Sequence, residues 1–203
     1  MLVVMSQPHS RTQEIVDTTL DLIASRGIGR LTTAALARRL GFTEAALYRY
    51  YSGKSAILAA ALQQVAEEVF ASMGTELAVA GGGDIAMLKQ QLGAHIRRFT
   101  AHQGVLLDLL LAGTTSRNGE LQEAGNAFLE EYFHRLAAVF ERAAEEGLVT
   151  GGAPPRDLAS MWICQLLGGF VRSRLTASAW DPERHEGYRG FLARIGAATP
   201  VSA

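Results

Sequence analysis

The sequence predicts an all-helical protein, in which a small N-terminal helix-turn-helix region precedes a larger helical bundle. Of the 203 residues, 48% are hydrophobic but only 7% are aromatic. Ala, Leu, Glu and Arg, which favour helices, predominate over β-branched residues, which favour strands. Apolar residues recur at helical spacing, and glycine or proline separates one periodic segment from the next. Together these observations predict about nine helices.

Three short helices and one long helix are predicted at the N-terminus. Ser10 forms a capping-box pattern with Gln13, and Thr32 and Thr43 precede the next two helices. Each hydroxyl is expected to accept a hydrogen bond from a free backbone N–H at the start of its helix. Gly41 is expected to make the tight turn between the second and third helices. The first helix ends before Gly27, and the next three are predicted at 33–40, 44–50 and 54–79.

Five further helices are predicted in the rest of the chain. They cover about 84–101, 104–114, 118–146, 156–179 and 182–197. The triple glycine at 81–83 separates them from the fourth helix, and Asp84 is expected to cap the fifth. Asp181 followed by Pro182 is the pattern of an N-cap with proline at the first helical position. No repeat or inter-domain linker interrupts the chain.

Charge is distributed unevenly along the sequence. Residues 1–60 carry seven basic and four acidic side chains, a net charge of +3, while the other 143 residues carry a net charge of −4. A basic N-terminal region on an acidic body suggests a local contact with a polyanion, of which nucleic acid is the leading candidate. An ordinary solvated surface is the alternative.

Several classes of protein are disfavoured. A single cysteine, Cys164, provides neither an intrachain disulfide nor a thiolate metal cage, and is expected to be a buried, unreactive thiol. No apolar stretch is long enough to span a bilayer and no signal peptide is evident, so we expect a cytoplasmic protein without membrane contact. His95 and His102 lie seven residues apart without a third ligand at zinc spacing, so no metal site and no cofactor are expected. No catalytic constellation is recognisable, which argues against an enzyme.

Residues 32–48 follow the pattern of a helix-turn-helix. Ala37 is small where two helices approach closely, and Gly41 stands at the turn. The adjoining segment 47–58, Leu-Tyr-Arg-Tyr-Tyr-Ser-Gly-Lys-Ser-Ala-Ile-Leu, resembles the signature of the TetR (tetracycline-repressor-like) family of bacterial transcription regulators. The detailed resemblance covers about residues 11–60, and the number of helices supports it beyond that range.

The resemblance implies a set of contacts with double-stranded DNA. The residues implied as phosphate contacts are Thr33, Tyr48, Tyr50 and Lys54. Those implied as base contacts are Thr43, Glu44, Ala45 and Arg49. An arginine can donate to guanine O6 and N7, and a glutamate can accept from cytosine N4. Tyr51, followed by Ser-Gly, is expected to be a core residue.

The C-terminal helices are expected to hold an effector pocket and a homodimer interface, as in the family that the chain resembles. Pocket candidates are His95, Phe99, Asp108, Tyr132, His134 and Gln165, and for each of them the alternative is an ordinary core or surface position. The eighth helix is apolar nearly all round, which indicates burial on two sides. The residues expected at the dimer interface are Trp162, Leu166, Gly169 and Phe170, with Phe191 of the ninth helix.

The functional expectation follows from these parts. Residues 1–53 form an N-terminal arm and DNA-binding domain, and residues 54–203 form a connecting helix with an effector-binding and dimerisation domain. The protein is expected to bind a pseudo-palindromic operator as a homodimer, to act as a repressor and to be released by a small apolar or amphipathic effector. The alternative is a DNA-binding protein of the same fold without effector control, such as an architectural or cell-division regulator, which a collapsed cavity would favour.

Overall fold

A computed structural model describes residues 10–77, 85–101, 103–115, 119–149, 153–176 and 186–195 of the chain, and confirms the all-α class. The helices in this part are α1 (Arg11–Arg26), α2 (Thr33–Leu40), α3 (Glu44–Leu47), α4 (Lys54–Glu76), α5 (Ile85–Ala101), α6 (Gln103–Thr115), α7 (Gly119–Glu145), α8 (Pro155–Thr176) and α9 (Glu186–Arg194). A 3-10 turn, Ile28–Arg30, lies between α1 and α2. None of these helices is both long and apolar enough to cross a bilayer.

The predicted N-caps of the first three helices are confirmed. The hydroxyl of Ser10 accepts a hydrogen bond from the backbone N–H of residue 13 at 3.2 Å. The hydroxyls of Thr32 and Thr43 accept from the N–H groups three residues further on, at 3.0 and 3.2 Å. Each cap therefore satisfies one of the N–H groups that a helix start leaves without an intrahelical partner.

The reciprocal half of the predicted capping box is absent. The side-chain amide of Gln13 donates to Asp17 at 2.9 Å and to Gln64 of α4 at 2.6 Å, rather than returning to the helix start. The amide of Gln64 also donates to Asp17, at 3.0 Å. This partly buried network joins α1 to α4, an arrangement that spacing within α1 alone does not indicate.

The third helix is shorter than predicted. It ends as an α-helix at Leu47, not at about Tyr50. Arg49 and Tyr50 donate their N–H groups to carbonyls three residues earlier, at 3.3 and 2.9 Å. This is the tighter winding of a 3-10 turn, so the backbone continues to turn but leaves the α-helical path.

Other boundaries agree with prediction to within a few residues, except where they lie outside the described part of the chain. Helix α4 ends at Glu76 rather than Val79, and α9 ends at Arg194 rather than at 197. The triple glycine at 81–83, the cap at Asp84 and the Asp181–Pro182 start all lie outside the described residues.

Two compact units make up the structure. The described residues within Met1–Val65 and Gly104–Asn126 form the first unit, and those within Ala66–Gln103 and Ala127–Ala203 form the second. The chain passes between the units at three positions, within α4, after the first residue of α6 and within α7.

The core of the first unit is built from α1 to α4 and the segment 104–126. Its buried apolar residues include Ile15, Ile23, Leu36, Leu47, Leu62 and Leu121. Gly113 allows α6 and α7 to approach closely, because a Cβ there would lie 3.3 Å from the carbonyl oxygen of Leu121. The loop before α4 contacts α7 through a hydrogen bond from Ser52 to Glu120 at 3.2 Å.

The core of the second unit is rich in aromatic residues. Its buried members include Leu92, Ile96, Phe128, Tyr132, Phe140, Trp162, Phe170, Tyr188 and Phe191. The ring of Trp162 lies 5.8 Å from the rings of both Tyr188 and Phe191, measured between centroids. These edge and tilted ring contacts attach α9 to α8.

Candidate functional site

A helix-turn-helix is formed by α2, the turn at Gly41 and α3. Gly41 adopts a left-handed conformation with φ of 69°, which side chains other than glycine rarely adopt. Phe42 then returns its N–H to the carbonyl of Ala37 at 2.8 Å. The guanidinium of Arg11 lies 5.5 Å from the Phe42 ring centroid, a cation–π contact that attaches α1 to this turn.

The start of α3 faces solvent and its end is anchored in the core. Thr43, Glu44 and Ala45 are exposed. Leu47 is only 1% exposed and packs into the first unit. The three exposed residues are the first three predicted base contacts, and the structure brings them together in one turn of helix.

The predicted contacts that follow α3 are exposed as well. The exposed fraction is 53% for Tyr48 and 42% for Tyr50, and Arg49 between them also faces solvent. Tyr51 differs, because it is half-buried and donates its hydroxyl to the Thr12 carbonyl at 3.4 Å. Its burial raises its pKa above the ordinary value of tyrosine. Two tyrosines are thus presented to a ligand while the third attaches this segment to α1.

Lys54 begins α4 and is exposed, yet its ammonium already has one partner. Nζ donates to the Leu31 carbonyl at 2.6 Å, at the entrance to α2. An ammonium carries three N–H donors, so this bond does not exhaust its capacity for a phosphate. Lys54 therefore also fixes the position of α2 relative to α4, a role that its place in the sequence motif does not reveal.

Two of the predicted DNA contacts bind each other. The hydroxyl of Thr33 donates to the Glu44 carboxylate at 2.6 Å, which joins the start of α2 to the start of α3. The predicted phosphate contact and the predicted base contact are thus paired in the free protein. The Glu44 carboxylate therefore already has a hydrogen-bond partner in the first turn of α3.

A buried polar cluster lies in the second unit. His95 Nε2 and the Tyr132 hydroxyl are 3.0 Å apart, and the Trp162 indole N–H donates to the same hydroxyl at 3.2 Å. Burial lowers the pKa of His95 to about 4 and raises that of Tyr132 above its ordinary value. The imidazole is therefore neutral near pH 7. The cluster joins α5, α7 and α8, and two of its members are predicted pocket residues.

Stacked rings extend from this cluster toward α4. Tyr132 stacks on Phe128 with centroids 5.6 Å apart, and Phe128 stacks on Phe70 at 5.4 Å. The guanidinium of Arg135 lies 4.5 Å from the Phe70 ring centroid. The rings of Tyr132, Phe128 and Phe70 thus form a continuous stack on this side of the cluster.

The other predicted pocket residues are dispersed. Asp108 is half-buried in the first unit, on α6. Gln165 is half-buried on α8, whereas His134 is exposed on α7 with its ring edge against Phe133. Phe99 lies in α5, but its side chain is outside the described part of the structure. Within the described residues, no group of three or more His, Cys, Asp and Glu side chains is arranged to hold a metal ion.

The residues predicted at the dimer interface lie inside the chain. All five, Trp162, Leu166, Gly169, Phe170 and Phe191, are buried by the second unit itself. The opposite face of α8 is exposed instead, at Cys164, Gly168, Val171 and Leu175. Cys164 is therefore accessible, contrary to the buried thiol expected from its apolar neighbours. The periodicity of apolar residues predicts this helix but does not predict which of its faces is buried.

Comparison with known proteins places the chain in a family. The model for bacterial regulatory proteins of the tetR family matches residues 15–61, which include the whole helix-turn-helix. The nucleoid occlusion factor SlmA of Aliivibrio fischeri, itself a TetR-family protein, is 33% identical over 80% of this chain and 83% of its own length. This chain belongs to the TetR family. The resemblance seen in residues 11–60 is thereby confirmed and extended.

Two further proteins resemble this TetR-family chain over most of its length. The nucleoid occlusion factor SlmA of Marinobacter nauticus is 28% identical over 87% of the chain and 93% of its own length. The structure of a SmeT–triclosan complex matches with a TM-score of 0.72 at 19% identity, over 92% of this chain and 91% of that one, which is a likeness of fold. The chain is accordingly a helix-turn-helix, DNA-binding transcription regulator.

Proposed function

We propose that this regulator is a cytoplasmic homodimer that represses transcription by binding a pseudo-palindromic operator and is released by a small effector. The observation that carries the proposal is the solvent-exposed surface formed by the first turn of α3 and the Tyr48–Tyr50 segment, supported from behind by Leu47. The second helix of a helix-turn-helix, presented to solvent in this way, can enter the major groove of DNA. We assign DNA binding to residues 1–53, and effector binding and dimerisation to residues 54–203.

Within this surface, the side chains divide by chemistry. Thr33, Tyr48, Tyr50 and Lys54 are proposed to contact phosphates, and Thr43, Glu44, Ala45 and Arg49 are proposed to contact base edges. The exposure of Tyr48, Arg49 and Tyr50 within one turn supports this assignment of DNA contacts. The bond between Thr33 and Glu44 implies that one of the pair rearranges on DNA, or that Glu44 mainly orients α3.

The effector is proposed to bind in the second unit, at the cluster of His95, Tyr132 and Trp162. Phe99, His134 and Gln165 are further effector contacts that we propose in the same unit, and Asp108 of the first unit is proposed separately. The cluster offers hydrogen-bonding groups in an apolar surrounding, the combination typical of small-molecule sites. Because the Tyr132 hydroxyl is hydrogen-bonded to both His95 and Trp162, an effector that bonds to this hydroxyl has to displace one of these two partners. That exchange couples binding to a conformational change.

The dimer is proposed to form through the exposed face of α8. Cys164, Gly168, Val171 and Leu175 are spaced by four, three and four residues and therefore share one side of the helix. Leu175 is 82% exposed and Val171 is 39% exposed, which leaves an apolar strip in contact with water in the single chain. The interior residues Trp162, Leu166 and Phe170 support this helix from the other side.

A second candidate function rests on the hydrogen-bonded interior cluster and on the relatives. The proteins named nucleoid occlusion factor align over most of this chain, and the polar side chains of the interior cluster bond to one another rather than remaining free for a ligand. Both observations favour a DNA-binding protein without effector control. The binding sites of such a protein need not lie at promoters, whereas those of a repressor must.

The first test measures binding to the DNA upstream of the protein's own gene, by fluorescence anisotropy beside a scrambled duplex. Tyr48→Phe combined with Lys54→Ala is expected to weaken specific binding by about 10- to 100-fold, because two phosphate contacts are lost together with the bond from Lys54 to the Leu31 carbonyl that positions α2. The dependence of log K on log salt should become shallower by about one unit, since one cation no longer displaces a counterion.

A matched control separates contact from folding. Tyr51→Phe removes the same hydroxyl from a side chain that points to Thr12, so it should leave DNA affinity unchanged. Tyr48→Phe alone removes only an exposed hydroxyl and should weaken binding without altering the melting temperature. Equal affinities for Tyr48→Phe, Tyr51→Phe and the wild type would contradict the proposed interface.

Genome-wide mapping of bound fragments separates the two candidate functions. A repressor should give a few sites that overlap promoters, and a protein acting on the nucleoid should give many sites spread along the chromosome. The first pattern, together with loss of binding on addition of cell metabolite extract, supports the repressor. Widespread sites that the extract does not affect would replace it with the second function.

A further inference from the structure

The hydroxyl of Thr33 has a partner in the protein that restricts what it can bind on DNA. It donates to the Glu44 carboxylate at 2.6 Å, which is the short distance of a charge-assisted hydrogen bond. A threonine hydroxyl carries one O–H donor, and the oxygens of a DNA phosphate only accept. While its bond to Glu44 is kept, the hydroxyl of Thr33 therefore cannot also donate to a phosphate.

A phosphate at the start of α2 can be bound without this hydroxyl. Thr33 is the first residue of α2, where the backbone N–H groups have no carbonyl partner within the helix. The Thr32 hydroxyl accepts from one of these groups, the N–H of Ala35. Lys54 brings its ammonium to the same helix start through its bond to the Leu31 carbonyl. The backbone N–H of Thr33 and this nearby cation can therefore hold a phosphate, and the bond to Glu44 can persist on DNA.

The bond to Thr33 occupies one carboxylate oxygen of Glu44 and leaves the other available. Oε2 accepts from Thr33, whereas Oε1 has no hydrogen-bond or ion-pair partner among the described residues. Glu44 is exposed in the first turn of α3, and the first residues of a recognition helix are those that reach base edges. An exposed oxygen at this position is thus an acceptor presented to the major groove.

The chemistry of this acceptor selects one base. A carboxylate oxygen requires a donor, and in the major groove the donors are cytosine N4 and adenine N6. Adenine also presents the N7 acceptor beside its amino group, which repels a carboxylate, whereas cytosine presents the amino group alone. An oriented Glu44 therefore favours cytosine over the other three bases.

Orientation before binding increases this preference. An exposed glutamate populates several rotamers, and a base contact that fixes one of them loses side-chain entropy. The bond to Thr33 joins the starts of α2 and α3, so it orients the helix and the carboxylate together in the free protein. Part of the entropy loss then occurs on folding, and recognition of the base costs less.

We infer that Thr33 is a positioning residue for sequence recognition. Its hydroxyl directs the Glu44 carboxylate toward a cytosine, and its backbone N–H makes the phosphate contact. The inference rests on the proposed function, in which Glu44 is a base contact. It assigns to the Thr33 side chain a part in discrimination between bases, whereas the family resemblance implies only a phosphate contact for this residue.

Selection from a pool of randomised duplexes identifies the preferred bases, and anisotropy then measures the affinity for the selected duplex and for duplexes with one base pair replaced. The wild type and Thr33→Ser should prefer cytosine at one position of each half-site by about tenfold, as is usual for one mismatched pair. Glu44→Ala should lose this preference. Thr33→Val keeps the backbone N–H, so at the same position its preference should fall below about threefold, while its affinity for the duplex without cytosine should change by less than about twofold.

A matched substitution on α6 controls for the loss of a threonine hydroxyl. The exposed hydroxyl of Thr114 donates to the Leu111 carbonyl, so Thr114→Val should select and bind DNA like the wild type. Weaker binding of Thr33→Val to every duplex by one common factor would identify its hydroxyl as a phosphate contact and overturn the inference. An unchanged cytosine preference in Thr33→Val or in Glu44→Ala would overturn it as well. A wild type that enriches no sequence would refute operator binding itself, and the inference with it.

Discussion

Replacing Leu175 with glutamate is expected to lower operator affinity by about 100-fold or more while leaving the fold of each chain intact. Leu175 is 82% exposed in the single chain, so the substitution creates no cavity and removes no internal contact. In the proposed dimer the same residue is covered by the partner, where two buried carboxylates would repel each other without a counter-charge. Loss of the dimer leaves one recognition surface per molecule and removes the avidity of two linked half-sites, which amounts to about 10²- to 10⁴-fold.

Analytical ultracentrifugation and anisotropy with a full palindrome measure the two effects separately. The variant should sediment at the monomer mass and bind a single half-site with the same affinity as the wild type. Leu111→Glu provides the matched control, since Leu111 is 45% exposed on α6 and is not on the proposed interface. A Leu175→Glu protein that remains dimeric would exclude this face of α8 as the interface.

Local features of the first unit could be predicted because local chemistry determines them. Ser10, Thr32 and Thr43 cap their helices as expected, since a hydroxyl one residue before a helix lies close to free N–H groups whatever the surrounding fold. Gly41 adopts the left-handed conformation for a similarly local reason. Such features depend on four or five consecutive residues, which a sequence displays directly.

Features that depend on pairing between helices could not be predicted. Nothing in the sequence indicates that Thr33 donates to Glu44, or that Lys54 donates to the Leu31 carbonyl, because each bond joins residues brought together by the turn geometry. The rotation of α8 is a similar case. This helix carries apolar side chains on nearly all of its faces, so the periodicity alone does not predict whether Trp162 or Leu175 faces outward.

The interior cluster illustrates a partial success. His95 and Tyr132 were both candidates for a polar role in an apolar bundle, and they are 3.0 Å apart. Trp162 donates to the same hydroxyl, whereas the apolar pattern of α8 predicts it at the dimer interface. The pairing explains how polar atoms are accommodated in a core that is otherwise hydrocarbon, since each hydrogen bond avoids the cost of an unsatisfied buried group.

Acidification is expected to destabilise the protein through His95. The pKa of this residue is lowered to about 4 by burial, whereas an unfolded histidine titrates near 6.5. Below about pH 6.5 the unfolded chain binds a proton that the folded chain does not, so stability falls as the pH decreases toward 4 and is fully retained above 6.5. The difference of roughly 2.5 pKa units corresponds to about 3 kcal/mol by pH 4 and about 2 kcal/mol between pH 7 and 5.

Urea denaturation at pH 7 and pH 5 measures this effect against two variants. His95→Gln keeps a polar group near the Tyr132 hydroxyl but cannot bind the proton, so its free energy of unfolding should lose about 2 kcal/mol less than that of the wild type over this interval. His134→Gln removes an imidazole that is exposed on α7, and it should retain the wild-type dependence. An equal loss of stability in all three proteins would mean that His95 is protonated in the folded state at pH 5, which the desolvated surroundings of its ring oppose.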